Sequence, residues 1–182
     1  MYSTFQRLNN VSAFATTVLF FLLAAISATT FLIPAPLAPA TIDVHNLNVV
    51  YGRKPEDSGL KEREFAFARF NIDADLRPLF NWNTKQVFVY LVAEYSTPKY
   101  PENQVVIWDK IVQNRDSAKI SISSGKNKYA FKEITNSFQN LNATFSLQYN
   151  TMPHVGILTY GTSGRTPLAI TFPEPKQRIP AA

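Results

Sequence analysis

Two hydrophobic rhythms divide this chain. From Val11 to Ile33 the residues are uncharged and mostly apolar, and the stretch Pro34-Ala35-Pro36-Leu37-Ala38-Pro39 ends the run. At about 1.5 Å per helical residue the run covers roughly 34 Å, enough to cross a hydrocarbon core of about 30 Å with some tilt. Beyond the prolines the pattern changes to period two. In Phe65–Asp75, Ala66, Ala68, Phe70, Ile72 and Ala74 share one face, and Asn71, Asp73 and Asp75 share the other. In Ala143–Asn150, Ala143, Phe145, Leu147 and Tyr149 alternate with Thr144, Ser146, Gln148 and Asn150. Both segments predict strands buried on one face.

Further strands are predicted at Ile42–Tyr51, Gln86–Tyr95, Gln104–Val112, Ala118–Ser123, Lys128–Ile134, Ile157–Tyr160 and Leu168–Phe172. Turn residues fall between them, at Ser96–Pro101, Asn114–Asp116, Ser124–Asn127 and Gly161–Gly164. No segment after the apolar run sustains a 3.6-residue pattern. Many short strands at close spacing predict an all-β, antiparallel β-sandwich or barrel as one domain. The expected organisation is an N-terminus (1–10), a transmembrane helix (11–33), a stiff proline-rich linker (34–40), the β domain (41–172) and a proline-containing flexible tail (173–182).

The apolar run has two readings. A cleaved signal peptide needs an apolar centre of about 7–15 residues and small residues at its cut site, which Ala25-Ile26-Ser27 would provide. The apolar character continues past that site through Phe31, Leu32 and Ile33, and prolines follow, which favours an uncleaved anchor. Arg7 is the only charged side chain ahead of the run, so a cytosolic N-terminus and a lumenal or extracellular domain are expected. Within the run, Ala13, Thr17, Ala24 and Ala28 recur at helical spacing and line one face. Such a face allows close helix packing in lipid, and ordinary Ala/Thr content yields the same pattern.

Composition narrows the function. The chain carries 18 Lys+Arg against 13 Asp+Glu, but the charges are interspersed, so no nucleic-acid face emerges. It has no cysteine, which excludes a thiol nucleophile, a thiolate metal site and a disulfide framework. His45 and His154 are the only histidines and lie far apart, so neither is half of a zinc motif. His45 is expected on a strand face with Asp43 and Leu47, and His154 in a loop. Asp73 and Asp75 fall on a polar strand face and read as solvated. Two Ser-x-x-Lys matches, Ser58–Lys61 and Ser123–Lys126, lie in turn-like segments where a lysine stays hydrated and protonated. No nucleophile elbow or phosphate-binding glycine loop is present. No catalytic residue, cofactor, metal or small-molecule substrate is expected. Two glycosylation sequons occur: Asn142-Ala143-Thr144, expected exposed and used, and Asn10-Val11-Ser12, expected silent on the cytosolic side.

Three runs are more specific: Phe80-Asn81-Trp82-Asn83-Thr84-Lys85-Gln86-Val87-Phe88-Val89-Tyr90-Leu91-Val92-Ala93-Glu94-Tyr95, Asn103-Gln104-Val105-Val106-Ile107-Trp108-Asp109-Lys110-Ile111-Val112, and Met152-Pro153-His154-Val155-Gly156-Ile157-Leu158. With one N-terminal anchor and a sequon before the last run, the chain from about Arg7 to Phe172 resembles the signal peptidase complex subunit 3 family. Arg53–Lys61, Gly161–Arg165 and the C-terminal tail carry no part of this likeness. The resemblance implies a single-pass type II protein of the endoplasmic reticulum membrane with a lumenal β-sandwich. It also implies a glycan at Asn142 and a non-catalytic role beside a subunit that brings its own serine nucleophile.

One strand adds a physical reason for partnership. Val87, Val89, Leu91 and Ala93 make one apolar face, and Phe88, Tyr90 and Val92 make the opposite face apolar as well. An antiparallel sandwich strand normally shows its second face to water. Because Glu94 and Lys110 are expected to share their alternation, Phe88, Tyr90, Val92 and Trp108 are expected on the outward face, against the catalytic subunit or other membrane subunits. A secreted binding module with a cleaved signal is the alternative, and a lumenal hydrolase is the weakest reading.

Overall fold

The computed structural model describes residues 3–32, 38–52, 63–133 and 137–176. Helix α1 spans Thr4–Leu32 and starts ahead of the expected Val11 boundary. Ser3 caps it, its hydroxyl accepting the Gln6 N–H at 3.3 Å, so the polar turn through Arg7 and Asn10 is helical too. Nine strands follow among the described residues: β1 (Ala40–Gly52), β2 (Arg63–Asp75), β3 (Thr84–Tyr95), β4 (Asn103–Val112), β5 (Lys119–Lys126), β6 (Phe131–Lys132), β7 (Asn142–Pro153), β8 (Thr159–Arg165) and β9 (Ile170–Thr171).

These strands form two antiparallel sheets. The first has the order β1-β2-β5, with β6 pairing β2 beyond the end of β5. The second has the order β4-β3-β7-β8, with β9 continuing the last lane along β7. Their inner faces share one core, to which β2 and β5 contribute Phe70, Ile72 and Ile120, and β3 and β7 contribute Val89, Leu91, Phe145 and Leu147. Each such side chain, fully buried, contributes about 1.5–3 kcal/mol. At one end Phe131, Phe138 and Phe172 close the core, Phe138 lying 4.7 Å from Phe172 and edge-on to Phe131 at 5.1 Å. β2 keeps the expected alternation: Ala66, Ala68, Phe70, Ile72 and Ala74 are buried while Asp73 on the opposite face is exposed. The chain is thus an antiparallel β-sandwich with one N-terminal apolar helix.

Several local expectations change. Gly161–Gly164 is not a turn but the middle of β8, and the reversal lies earlier, leaving Ile157 and Leu158 outside any strand. Its glycines are there for close approach: a Cβ on Gly161 would strike the Tyr149 ring and hydroxyl, and one on Gly164 would strike the Ala40 carbonyl oxygen of β1. Gly164→Ala should therefore open the seam between the sheets and cost about 1–3 kcal/mol. Thermal denaturation of the full chain in detergent reads this, and an unchanged midpoint would show that the seam yields freely.

Ser123–Lys126 belongs to the end of β5 rather than to a turn, and Ser58–Lys61 lies outside the described residues. Of Lys128–Ile134, only Phe131 and Lys132 pair as a strand, and Ile134 is also outside. In β1 a bulge after His45, with Asn46 at φ 61°, turns Leu47 toward the core, so it does not share the face of Asp43 and His45. The linker's last residues are fastened: Ala38 is buried with its carbonyl accepting the Ser163 hydroxyl, and Pro39 accepts the Asp75 N–H at 3.5 Å. Pro173–Lys176, expected as the start of a flexible tail, runs beside β1, where the Lys176 N–H reaches Val49 at 2.8 Å.

Candidate interaction surface and membrane junction

The outer face of the second sheet follows from register. Phe88 pairs with Ile111 on one side and Asn150 on the other, and Asn150 pairs with Tyr160. Facing pairs share a side, so Ile111, Phe88, Asn150 and Tyr160 form one row pointing away from the core. Tyr90 lies in the next row and stacks on Phe88 with ring centroids 5.2 Å apart. Its hydroxyl donates to Asn150 Oδ1 at 3.3 Å, and burial, with the Tyr160 hydroxyl nearby, pushes its pKa up. Ile111 is 52% exposed and Tyr160 70% exposed, although both are large and at least partly apolar.

Charged groups border this patch. On one side Asp109 takes the Lys128 ammonium at 2.6 Å and the Tyr129 hydroxyl at 2.8 Å, which together hold its carboxyl below the usual range. On the other, Glu94 accepts the Ser146 hydroxyl at 2.6 Å and pairs with Arg165 at 2.9 Å. Because Arg165 is on β8 and Glu94 on β3, the arginine side chain crosses β7, over the fully buried Ser146. An apolar centre inside a polar rim is the usual anatomy of a protein contact.

The expected outward set needs two corrections. Trp108 faces inward: it pairs with Leu91, its ring meets Phe70 edge-on at 6.2 Å, and it packs against the core. The register shifts between Leu91 and Val92 because Ile107 is an extra, buried residue in β4. The Ile107 carbonyl accepts the N–H groups of Lys128 and Tyr129, at 2.8 and 3.2 Å, which holds the bulge open. Lys110 consequently shares the side of Val89 and stays exposed because β4 is a sheet edge. Val92 is on the outer side but only 2% exposed, beside Ser146, so it offers little to a partner. Ile111 and Tyr160 take their places, and pairing to Phe88 and Asn150 was the missing information.

At the other end of the sheet, Asn83 joins the helix to the sandwich. It is 3% exposed, its carbonyl accepts the His154 N–H at 2.7 Å, and its Oδ1 accepts the Val155 N–H at 3.2 Å. Its Nδ2 donates to the Val155 carbonyl at 2.8 Å and to the Thr30 hydroxyl of α1 at 3.0 Å. Both side-chain donor hydrogens and the acceptor are thereby used. Ser27 of α1 lies against Gly156, and Ile26, Ser27, Thr29 and Thr30 are half-buried where the rest of the helix is mostly exposed.

The remaining candidates are dispersed. Ala13, Thr17, Ala24 and Ala28 are exposed on α1. Asn142 is exposed at the start of β7, next to its paired Thr171. His45 Nδ1 is 3.8 Å from Asp43, and the His154 side chain is exposed. Asp73 is exposed, and Asp75 is held at a pKa of about 2 by the hydrogen bonds that Arg77 donates to it. Among the described residues no three His, Cys, Asp or Glu side chains are placed to hold a metal.

Residues 1–175 match the family described as signal peptidase subunit. Curated relatives bear the name signal peptidase complex subunit 3. The one from Saccharomyces cerevisiae is 39% identical over 168 residues, covering 88% of this chain and 91% of its own. The human one is 36% identical over 177 residues, covering 96% of each. That from Yarrowia lipolytica is 42% identical over 115 residues, 63% of this chain and 62% of its own. The match takes in the helix, both sheets and the Asn83 junction between them, and the chain belongs to the signal peptidase subunit family.

Proposed function

We propose that this chain is a non-catalytic, membrane-anchored subunit of the signal peptidase complex of the endoplasmic reticulum. In this reading α1 crosses the membrane as a type II anchor, the sandwich is lumenal, and the Phe88–Tyr90 face meets the serine-protease subunit that cleaves signal peptides. The observation that carries the reading is the family match across residues 1–175. The aromatic outer patch supports a contact, since such residues are the usual energetic anchors of protein interfaces.

Topology is testable at the sequons. Asn142 is exposed at the opposite end of β7 from the helix junction, about 36 Å along the strand at 3.3 Å per residue, which in this reading keeps it clear of the membrane. In microsomes Asn142→Gln should abolish a glycosidase-sensitive mobility shift, and Asn10→Gln should change nothing. Alkaline carbonate should leave the protein in the pellet. A shift that depends on Asn10 would reverse the orientation, and release by carbonate would remove the anchor. Affinity purification from detergent-solubilised microsomes should recover the other subunits of the complex, and depletion should cause unprocessed precursors to accumulate.

A further inference from the structure

We infer that the two loops gripping α1 form a foot that beds in the lumenal headgroup region of the bilayer, with Trp82, Ile157 and Leu158 as its apolar contacts. The inference rests on α1 crossing the membrane and goes beyond the subunit role. Three observations carry it. The junction fixes the height of the loops, because Asn83 bonds Thr30 and Gly156 lies so close to Ser27 that a Cβ on it would meet the Ser27 hydroxyl, both in the last turns of α1. With a hydrocarbon core of about 30 Å entered at Val11 and about 1.5 Å per residue, α1 leaves it near residue 31. Ser27 and Thr30 then sit within about 6 Å of that boundary, a little over one helical turn.

The loops that touch them cannot stand clear in the lumen. Trp82 adjoins Asn83 and Ile157 adjoins Gly156, so both lie beside the helix where it meets the headgroups. Trp82 and Ile157 are each 63% exposed and Leu158 is 41% exposed, so the protein itself covers little of them. Tryptophan has a ring for the acyl boundary and an N–H for the headgroups, and it concentrates at that depth. The platform is also preformed. Asn83 ties one loop to the other through His154 and Val155, so the apolar tips are presented without an ordering cost. A lipid surface explains why these side chains, unlike the Phe88 patch, converge on the anchor.

The two tryptophans permit a direct test, because Trp108 is packed against the core and Trp82 is at the foot. The full chain is reconstituted in phosphatidylcholine vesicles with bromine placed near the headgroup end or the methyl end of the acyl chains. In Trp108→Phe, which leaves Trp82 as the emitter, the emission should be blue-shifted and lose most of its intensity to shallow bromines, and less to deep ones. Trp82→Phe should be nearly unquenched. The chain lacks cysteine, so Ile157→Cys can carry a nitroxide even if Trp108→Phe folds poorly, and oxygen should reach it more readily than a water-soluble nickel complex.

Retention in carbonate-washed vesicles with Trp82 water-exposed and unquenched would overturn the inference while leaving the anchor intact. Release from those vesicles would overturn the anchor and the foot together. Shielding of Trp82 only after the other subunits are added would assign the loops to a protein contact and overturn the lipid one.

Discussion

Phe88→Asp should strip the protein from its complex while barely moving its thermal midpoint, whereas Val89→Asp, one residue along the same strand, should unfold it. Val89 is 0% exposed and lies on the core side of β3, beside Tyr149 of β7 in the same inner face. A carboxylate there would have no partner, at a cost of several kcal/mol, against a whole-domain stability of about 5–15 kcal/mol. Phe88 lies on the outer side, half-buried against Tyr90 and in a row with the exposed Ile111 and Tyr160. An aspartate at that position remains solvated in the free protein. In the proposed contact it would put a charge at the centre of an apolar patch, where losing one aromatic anchor alone costs about 2 kcal/mol or more. Co-purification and thermal denaturation in detergent separate the two effects. Tyr90→Asp should follow Phe88→Asp. Retention of folded Phe88→Asp in the complex would move the contact to another face.

Trp108→Ala should behave as a core truncation and not as an interface change. Its ring is edge-on to Phe70 and shares the inner side with Leu91. Truncating a fully buried tryptophan costs about 3–5 kcal/mol, and partial exposure at the sheet edge brings this to about 2–4 kcal/mol. At about 2–4 °C per kcal/mol for a chain of this size, the midpoint should fall by roughly 4–16 °C. The fraction that stays folded should still co-purify with the complex. A small thermal shift with loss of the complex would mean that the indole faces outward after all.

What could be read from the chain depended on whether a strand had a polar side. β2 and β7 carried Asn71, Asp73, Ser146 and Gln148 on alternate positions, so their inner residues were identifiable in advance. β4 offered four apolar residues in a row, Val105 to Trp108, and such a run has no visible parity. The bulge that settles it is held by Lys128 and Tyr129, on a loop with no local connection to β4. In β8, Gly-Thr-Ser-Gly has turn composition, but the glycines serve contacts with Tyr149 and Ala40. Asn83 was visible within a distinctive motif, yet its role depends on Thr30 and Val155, which lie 53 and 72 positions away. Asn142 was the simplest to place, since a polar turn followed by an alternating strand exposes its first residue.

The strand order carries a consequence for biogenesis. The chain lays down β1 and β2 in one sheet, β3 and β4 in the other, then returns to the first for β5 and β6 before β7 arrives. β7 is the lane between β3 and β8, and it pairs with β3 from Thr84 to Tyr95. Until β7 (Asn142–Pro153) has emerged, the inner residues of β3 have only the edge strand β4 beside them in their sheet. Long-range pairing of this kind folds slowly and exposes apolar strands meanwhile. During synthesis the nascent domain must therefore wait, open and sticky. Folding becomes a single late event, which leaves the unfinished domain dependent on chaperones before it can assemble with anything else.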